Sequence, residues 1–413
     1  MRSVEEQLTH VLGQLAPLPG FEVPLQEAQG CLLAHDVVAP LDLPPWDNSS
    51  MDGYAVRIAD VTGASPEFPA ELDVIDDIAA GAVSSRVIKP GTCARIMTGA
   101  PIPEGTEAIV AVEQTDRGTR RVKIEAEPSE GQYIRLRGSD VATGQHLLPA
   151  GAELGSAQIG MLAAIGVGRV EVHPRPRVVV ISTGSELVEA GMPLGPGQIY
   201  ESNSYMLAAA AREAGAVAYR VGMVHDDEQA VLETIEEQTT RADLIITSGG
   251  VSAGAYDVVK GVLSQLGTVE FGGIKMNPGK PQGFGFIGGD GRFGTGTPIF
   301  TLPGNPVSSY VSFEVFVRPA IRRLRGLTPE RRAVTQATIS TDLTSPGGKT
   351  QFARGWVVPS GAYGLPEVSP VGGAGSHLLA GLATSNCFIV VPEDVTELKA
   401  GEQVDIMRFG AHT

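Results

Sequence analysis

The chain has 413 residues, of which 42% are hydrophobic and 19% charged, so it can build the cores of several globular domains. Its net charge of −16 argues against a nucleic-acid partner. The N-terminus lacks signal-peptide features and no apolar run is long enough for a membrane span, so we expect a cytoplasmic protein without membrane contact. Cys31, Cys93 and Cys387 lie far apart, without metal-ligand spacing, and are expected to be buried hydrophobes.

Two similar segments flank a different, β-rich segment in the first part of the chain. The flanks predict a helix within residues 3–16, a strand at 21–24, a helix at 26–31, a strand at 34–38, a helix at 156–165 and a strand at 168–172. Between them, short apolar segments split by Gly, Pro and charged residues predict β structure. One domain is therefore expected to form from both flanks of an inserted domain.

Three turn-rich stretches of the inserted segment contain candidate ligand-binding residues. Asp52 lies in a polar loop that enters a strand, where its carboxylate would either face a cation or close an Asx turn. Thr98 follows a strand at a Thr-Gly turn, so its hydroxyl is either a ligand donor or a turn contact. Arg135 and Asp140 lie in a charged turn that is also typical of a solvated surface.

After a proline-rich joint at residues 173–176, apolar strands alternate with helices. The predicted strands are 178–181, 217–224, 243–247, 269–274, 283–287 and 298–302, and the predicted helices are 203–214, 226–239, 257–266 and 307–324. This alternation indicates a doubly wound parallel α/β sheet that is covered on both faces. Ligands bind off the carboxyl ends of the strands in such sheets.

Small and acidic residues follow these strands at the expected ligand edge. The stretches are Thr183-Gly184-Ser185-Glu186, His225-Asp226-Asp227, Ser248-Gly249-Gly250-Val251-Ser252 and Leu302-Pro303-Gly304-Asn305-Pro306. They form neither a dinucleotide fingerprint nor a P-loop. Clustered carboxylates here would repel one another unless a cation such as Mg²⁺, bridging to a phosphate, lay among them. These carboxylates are Glu186, Asp226 or Asp227, and Asp257. Asp226 is also a good N-cap, with Gln229 as its capping-box partner.

Two further features of this region favour an anion. Asn305 is a good N-cap and Pro306 suits the first helical position, so the helix would begin with open N–H groups, unless the turn is a plain strand–helix connection. Lys280 places a positive charge in a Pro-Gly loop, where it either faces an anion or is solvated.

Residues 330–410 predict a small C-terminal β-barrel or sandwich. Its predicted strands are 333–340, 352–358, 367–371, 387–391 and 403–408. Arg354 on a strand and Ser376 in a Gly-rich turn are further candidates, although either feature alone is usually structural.

In their order along the chain, these motifs resemble the molybdopterin molybdenumtransferase family, which includes MoeA and the E domain of gephyrin. The matching stretches are residues 47–55, 96–101, 182–187, 248–252, 278–281, 302–308, 375–377 and 386–390. Each motif alone is weak, whereas the ordered set is highly specific.

The resemblance implies a four-domain homodimer with its sites in a cleft between subunits. The domains would be 1–42 with 141–172 (mixed α/β, dimerisation or linker), 43–140 (β-rich, inserted), 173–327 (α/β, molybdopterin-binding) and 328–413 (C-terminal β-barrel). It also implies a transferase that takes adenylylated molybdopterin and molybdate, inserts the metal into the dithiolene and releases AMP in an Mg²⁺-dependent hydrolysis. A molybdopterin adenylyltransferase and apo-molybdoenzymes would be its protein partners.

The resemblance also assigns roles to residues of this sequence. The catalytic residues would be Asp52, Glu186, Asp226, Asp227, Asp257 and Lys280, and the metal would be bound by Glu186, Asp226, Asp227 and Asp257. The substrate would contact Thr98, Arg135, Asp140, Thr183, Gly184, Ser185, Ser248, Gly249, Gly250, Pro303, Gly304, Asn305 and Pro306. Molybdate would contact Lys280, Ser308, Arg354 and Ser376, since an oxyanion binds to cationic and hydroxyl donors.

Two departures and two alternatives accompany this interpretation. Many relatives have an acidic residue in place of Ala255 and a basic one in place of Asn277, for which Lys275 would substitute. Molybdopterin adenylylation is one alternative, because a related α/β domain performs it, but the four-domain length argues against it. A non-catalytic scaffold is the other, as in the receptor-clustering branch of the family, and the retained carboxylates argue against it.

Overall fold

The computed structural model of the chain contains two compact units. The described residues are 1–224, 227–250, 258–265, 269–288, 296–359 and 364–409. The first unit comprises Met1–Phe21, Gly30–Leu32 and His173–Thr413, and the second comprises Glu22–Gln29 and Leu33–Val172. The finer division into four domains remains a prediction.

A six-stranded sheet forms the centre of the first unit. In spatial order its strands are Val217–Val224, Arg177–Thr183, Leu244–Ser248, Thr297–Leu302, Pro281–Ile287 and Val269–Gly273. The first four run parallel, as predicted, whereas Pro281–Ile287 is antiparallel to both neighbours. The segments that join it to these neighbours are shorter than the roughly dozen residues that a parallel crossover needs, so they permit only antiparallel pairing.

Helices cover both faces of this sheet, which confirms the predicted doubly wound class. They are Val4–Gly13, Asn203–Glu213, Glu228–Thr239, Val258–Gln265, Pro306–Ser312 and Arg318–Arg325, with a π-helical turn, Phe313–Val317, between the last two. Alternate residues of one strand enter different cores. Val180 belongs to the core that contains Leu207 and Val311, whereas Val179 belongs to the core that contains Ile235.

The C-terminal part of the first unit is a closed barrel. Its five strands are Val334–Ile339, Thr350–Val358, Glu367–Pro370, Cys387–Val391 and Gln403–Arg408, and a short helix, Leu379–Ala383, precedes the fourth. The barrel closes because Thr350–Val358 pairs with both Glu367–Pro370 and Cys387–Val391. The short strand Met276–Asn277 pairs in parallel with Thr350 and Gln351 of this barrel. Of the two architectures predicted for this region, the structure therefore has the barrel and not the sandwich.

The second unit is rich in β structure, as predicted. Its five-stranded sheet has the spatial order Ala108–Ala111, Gly53–Val56, Thr92–Ile96, Ala70–Ile78 and Arg121–Ile124. Wholly or partly in this unit lie the strands Phe21–Pro24, Leu32–Leu33, Val37–Val38, Asn48–Ser49, Ile134–Arg135, His146–Leu148 and Arg169–His173, and the helix Ser156–Ala164. Tyr54 is fully buried in one of the two cores that flank the sheet, and Ile96 in the other.

Two predicted elements of the flanks are wrong in detail. The helix predicted at 26–31 is a single 3₁₀ turn, Leu25–Glu27, because Gly30 adopts a positive φ of 74° and leaves too few residues for an α-helix. The strand predicted at 34–38 is divided into Leu32–Leu33 and Val37–Val38, which pair with different partners. A local turn therefore ends the helix, and tertiary pairing overrides the local pattern in the strand.

All three cysteines are buried, as predicted. Burial raises the pKa of the Cys93 and Cys387 thiols to about 12, so neither is a reactive thiolate at neutral pH. Across the described ranges, every helix is too short or too polar to cross a membrane.

Candidate active site

The parallel strands of the first unit end side by side at one edge of the central sheet. Ser182 lies opposite Ser248, and Ser248 lies opposite Leu302. The strand order changes direction at Arg177–Thr183, because both strands that pair with it, Val217–Val224 and Leu244–Ser248, come later in the chain. Loops that diverge at such a switch point open a crevice, and doubly wound sheets bind ligands there.

Glycines allow the loops at this edge to approach one another closely. Gly249 has a φ of 99°, and a Cβ atom on it would lie 2.5 Å from the carbonyl oxygen of Thr183. A Cβ atom on Gly250 would lie 2.8 Å from the side chain of Val259, and one on Gly304 would lie 3.7 Å from the α-carbon of Gly249. Glycine is therefore required at Gly249 by backbone contact and at Gly250 by its positive φ of 65° and the Val259 side chain, whereas the contact at Gly304 is an ordinary van der Waals one.

Replacing Gly249 with alanine is expected to destabilise the chain by about 2–4 kcal/mol, because strain at positive φ adds to overlap with a backbone oxygen. Urea denaturation measures this loss. Gly222→Ala is the matched control, since a Cβ atom there has no heavy atom within 4 Å. Equal stability of the two variants would contradict the close packing of these loops.

A hydrogen-bond network ties two strand-end loops to the start of a helix. Asn203 Nδ2 donates to Ser248 Oγ at 2.8 Å and to the Gly304 carbonyl at 2.6 Å. Ser309 Oγ donates to the Pro303 carbonyl at 2.6 Å, and Ser248 Oγ lies 3.2 Å from Ser309 Oγ. The loop after Leu244–Ser248 and the turn after Thr297–Leu302 are thus held by one asparagine at the start of a helix.

A buried carboxylate anchors that helix start. Glu201 is 3% exposed, and its carboxylate accepts hydrogen bonds from Ser182 Oγ at 2.8 Å, from the Ser204 backbone at 2.8 Å and from Ser204 Oγ at 2.6 Å. Arg220 Nη2 lies 3.5 Å from it. Sequence reasoning missed both Glu201 and Asn203. The available signal was a Glu-Ser-Asn run where a helix begins at the ligand edge.

The predicted acidic group is only partly within the described residues. Glu186 is exposed, in the loop after Arg177–Thr183. Asp227 Oδ1 accepts from the Ala230 backbone at 2.9 Å, so Asp227 caps the helix that begins at Glu228. The capping predicted for Asp226 is therefore wrong for this helix. Asp226 and Asp257, with His225, Val251, Ser252 and Ala255, lie outside the described residues, within which no three His, Cys, Asp or Glu side chains are grouped closely enough for a metal.

The turn before Pro306–Ser312 differs from the predicted open helix start. The Asn305 side chain makes no capping hydrogen bond and instead donates from Nδ2 to Ser376 Oγ at 3.0 Å. The Val307 N–H donates to the Ser376 carbonyl at 3.1 Å. Pro306 occupies the first turn, as predicted. The loop of the C-terminal barrel that carries Ser376, called the barrel loop below, therefore accepts a hydrogen bond from one of the N–H groups that were expected to face an anion. The same contacts bring Ser376 to the predicted site.

Arg354 shapes the loop that carries Ser376. It is 5% exposed, and its Nη1 atom donates to the carbonyls of Gly375 and Leu378, both at 3.1 Å. Nη2 donates to the Gly373 carbonyl. Burial lowers the pKa of the guanidinium from its ordinary value. The contacts of Arg354 in this structure are thus with the loop backbone.

The remaining molybdate candidates lie around the same edge. Lys280 is exposed and immediately precedes Pro281–Ile287, and the antiparallel direction of that strand places Lys280 where the parallel strands end. Ser308 is buried in the helix that follows the turn. Lys275 was expected to substitute for the basic residue that many relatives have in place of Asn277. Its Nζ atom lies 3.5 Å from the Glu393 carboxylate.

Four candidates belong to the second unit. Asp52 Oδ1 accepts from the Thr98 backbone at 2.7 Å and from Thr98 Oγ1 at 2.9 Å. These hydrogen bonds lower the pKa of the carboxyl group, so it is ionised at neutral pH. Arg135 and Asp140 are exposed. Asp52 and Thr98 therefore form one structural pair, which their separation in sequence did not reveal.

Comparison with known proteins identifies the family. The model of the MoeA N-terminal region (domains I and II) matches residues 2–166, that of a probable molybdopterin binding domain matches residues 179–323, and that of the MoeA C-terminal region (domain IV) matches residues 336–409. These three matches follow the same order as the motifs described above.

Individual relatives agree over the whole length. Molybdopterin molybdenumtransferase 2 of Mycobacterium tuberculosis is 47% identical, over 98% of this chain and 99% of its own. Molybdopterin molybdenumtransferase 1 of that organism is 40% identical over 100% of both chains. The crystal structure of a molybdopterin biosynthesis MoeA protein from Pyrococcus horikoshii has a TM-score of 0.76 and 31% identity, with 99% of each chain covered. This chain belongs to the MoeA family of molybdopterin molybdenumtransferases.

Proposed function

We propose that the chain is a transferase of molybdenum cofactor biosynthesis that inserts molybdate into adenylylated molybdopterin and releases AMP. One observation carries the proposal. The Asn305–Ser376 hydrogen bond joins the ligand edge of the central sheet to the barrel loop. Residues of the α/β part and of the C-terminal barrel therefore border one site. The full-length similarity to proteins named molybdopterin molybdenumtransferase supports the same reaction class.

The loops of the crevice suit a flat, polar substrate. Gly249 packs against the Thr183 carbonyl and Gly304 against Gly249, so backbone without side chains forms the loops around the crevice. Ser248 and Thr183 line the switch point with hydroxyl groups. We assign the organic substrate to this crevice.

Molybdate suits the border between the turn and the barrel loop. Ser376 and Ser308 offer hydroxyl donors, and Lys280 offers a positive charge at the same sheet edge. An oxyanion is stabilised by cationic and hydroxyl donors of this kind. Arg354 would act here chiefly by holding the loop, since its contacts are with the carbonyls on either side of Ser376.

The described carboxylates suit a hard cation. Asp227 uses one oxygen as a helix cap, and Glu186 is exposed on the loop after the neighbouring strand. Thr183 pairs with Val224, so the two strands end together. Carboxylate oxygens are the ligands that Mg²⁺ prefers, and Glu186 and Asp227 would hold it with Asp226 and Asp257. Bound Mg²⁺ would neutralise charge on the phosphate that is cleaved.

The decisive assay measures AMP release from adenylylated molybdopterin with Mg²⁺, with and without molybdate. We expect release that depends on molybdate, and a parallel run with tungstate tests the choice of metal. Adenylylation of molybdopterin by ATP in place of this reaction would favour the alternative enzyme activity. A folded chain that performs neither reaction would favour a non-catalytic scaffold.

We also propose that the chain forms a homodimer. The proposal comes from the family resemblance, in which two subunits share each cleft. Sedimentation equilibrium should then give twice the mass of the chain, whereas the mass of a single chain would remove the dimer from the mechanism.

A further inference from the structure

We propose that Asn203 contacts the substrate directly, accepting a hydrogen bond through its side-chain carbonyl oxygen, Oδ1, from a ring N–H group. The inference rests on the proposed function, and it names a residue that decides which ring edge is bound. Both the pterin and the adenine of adenylylated molybdopterin carry N–H donors, so the shared chemistry is a nitrogen heterocycle with a donor edge.

The orientation of the Asn203 amide is determined by its partners. Its nitrogen lies 2.6 Å from the Gly304 carbonyl oxygen, which can only accept a hydrogen bond. The amide nitrogen must therefore face Gly304, and the second amide proton is directed to Ser248 Oγ. Both donors are used within the protein, and Oδ1 is the remaining polar atom.

Within the described part of the chain, Oδ1 is buried and has no hydrogen-bond partner. A buried acceptor without a donor is costly to the fold, so its presence requires an explanation. Thr183 Oγ1 is a second buried atom that has no partner among the described residues, and it lies 3.2 Å from the position that a Cβ atom of Gly249 would take. Both atoms thus border the glycine loops of the switch point, where a ligand can supply the missing hydrogen bonds.

The position of Asn203 is fixed before any ligand binds. The neighbouring Glu201 carboxylate is held by Ser182 and Ser204, and Arg220 Nε donates to Ser204 Oγ at 2.8 Å. Contacts on both sides therefore hold the start of the helix. An acceptor that is held in this way needs little reordering to bind a donor, which makes it a good determinant of specificity.

The test compares Asn203→Ala with Ser309→Ala by titration calorimetry, using two probes: molybdopterin alone and AMP alone. Ser309→Ala removes a hydrogen bond to the Pro303 carbonyl of the same turn but leaves Oδ1 of Asn203 in place. We expect Asn203→Ala to weaken binding of one probe, the one whose ring lies at the switch point, at least about tenfold. Binding of the other probe, and both affinities of Ser309→Ala, should change less than about threefold.

The other outcomes overturn this inference, the proposed function or both. Equal weakening of both probes by Asn203→Ala, or the same pattern in Ser309→Ala, would mean that Asn203 only holds the loops. Unchanged affinity in a folded Asn203→Ala variant would remove the contact. Wild-type chain that binds a probe but does not turn over adenylylated molybdopterin would refute the proposed function alone, whereas wild-type chain that binds neither probe would refute both.

Discussion

Replacing Asp52 with asparagine is expected to lower turnover of adenylylated molybdopterin at least about 100-fold while leaving the fold intact. Asparagine keeps an Oδ1 atom that accepts from both Thr98 donors, so the local hydrogen bonds survive. The negative charge is lost, and with it the attraction for a cation or a proton. Turnover and circular dichroism of the purified variant measure the two effects.

The difference in free energy of unfolding between Asp52→Asn and the wild type should become smaller at acid pH. The Thr98 hydrogen bonds lower the pKa of Asp52 below its ordinary value of 3.8. The ionised carboxylate therefore adds stability that is fully present above about pH 4 and is lost as the pH falls through the lower pKa of the folded chain. Urea denaturation of both proteins between pH 7 and pH 3 checks this direction.

Asp42→Asn is a closely matched control. Asp42 Oδ1 accepts from the Thr143 backbone at 2.7 Å and from Thr143 Oγ1 at 2.8 Å, in the same unit, and these bonds, with one from Arg137 Nε to Oδ2, lower its pKa to about 2. We expect this variant to keep its turnover, because Asp42 is outside the candidate site. Equal loss in both variants would assign the effect to structure, and unchanged turnover of Asp52→Asn would remove Asp52 from the mechanism.

Replacing Arg354 with lysine is expected to raise the KM for molybdate at least about tenfold and to reduce stability by about 2 kcal/mol. The guanidinium reaches three carbonyls of one loop, including those of Gly375 and Leu378, and a single ammonium cannot replace these bonds. Ser376, within that loop, would lose its position. Molybdate-dependent AMP release gives the KM, and thermal unfolding gives the stability.

Two companion variants separate the causes. Ser376→Ala should raise the KM for molybdate while leaving stability close to that of the wild type. Arg331→Lys changes an exposed arginine whose guanidinium lies 2.6 Å from Glu5, so it should leave both quantities nearly unchanged. An Arg354→Lys variant with lowered stability but an unchanged KM would refute the link between this loop and molybdate.

Much of the fold could be predicted because its signals are local. Val217–Val224, Cys387–Val391 and Gln403–Arg408 were predicted with the same bounds as in the structure. Continuous apolar runs indicated strands buried on both faces, and the two separate cores around the sheet confirm this. The antiparallel direction of Pro281–Ile287 could also have been predicted from the short connections on either side of it.

The ligand edge of the sheet could likewise be predicted, since it follows from strand direction and the placement of small residues. Gly249 and Gly304 meet there, as their positions after two parallel strands require. The roles of all the candidate site residues remain predictions, and Asp226 and Asp257 also lie outside the described residues.

The sequence by itself determined the order of strands and helices, the burial of the sheet and the edge at which its parallel strands end, because each depends on neighbouring residues and chain direction. Only the tertiary structure decided which polar groups meet there. Asn305 could have capped its own helix but donates to Ser376, and Asn203 joins Ser248 to Gly304. A polar side chain chooses between local and distant partners by geometry, and distant partners become neighbours only when the chain folds.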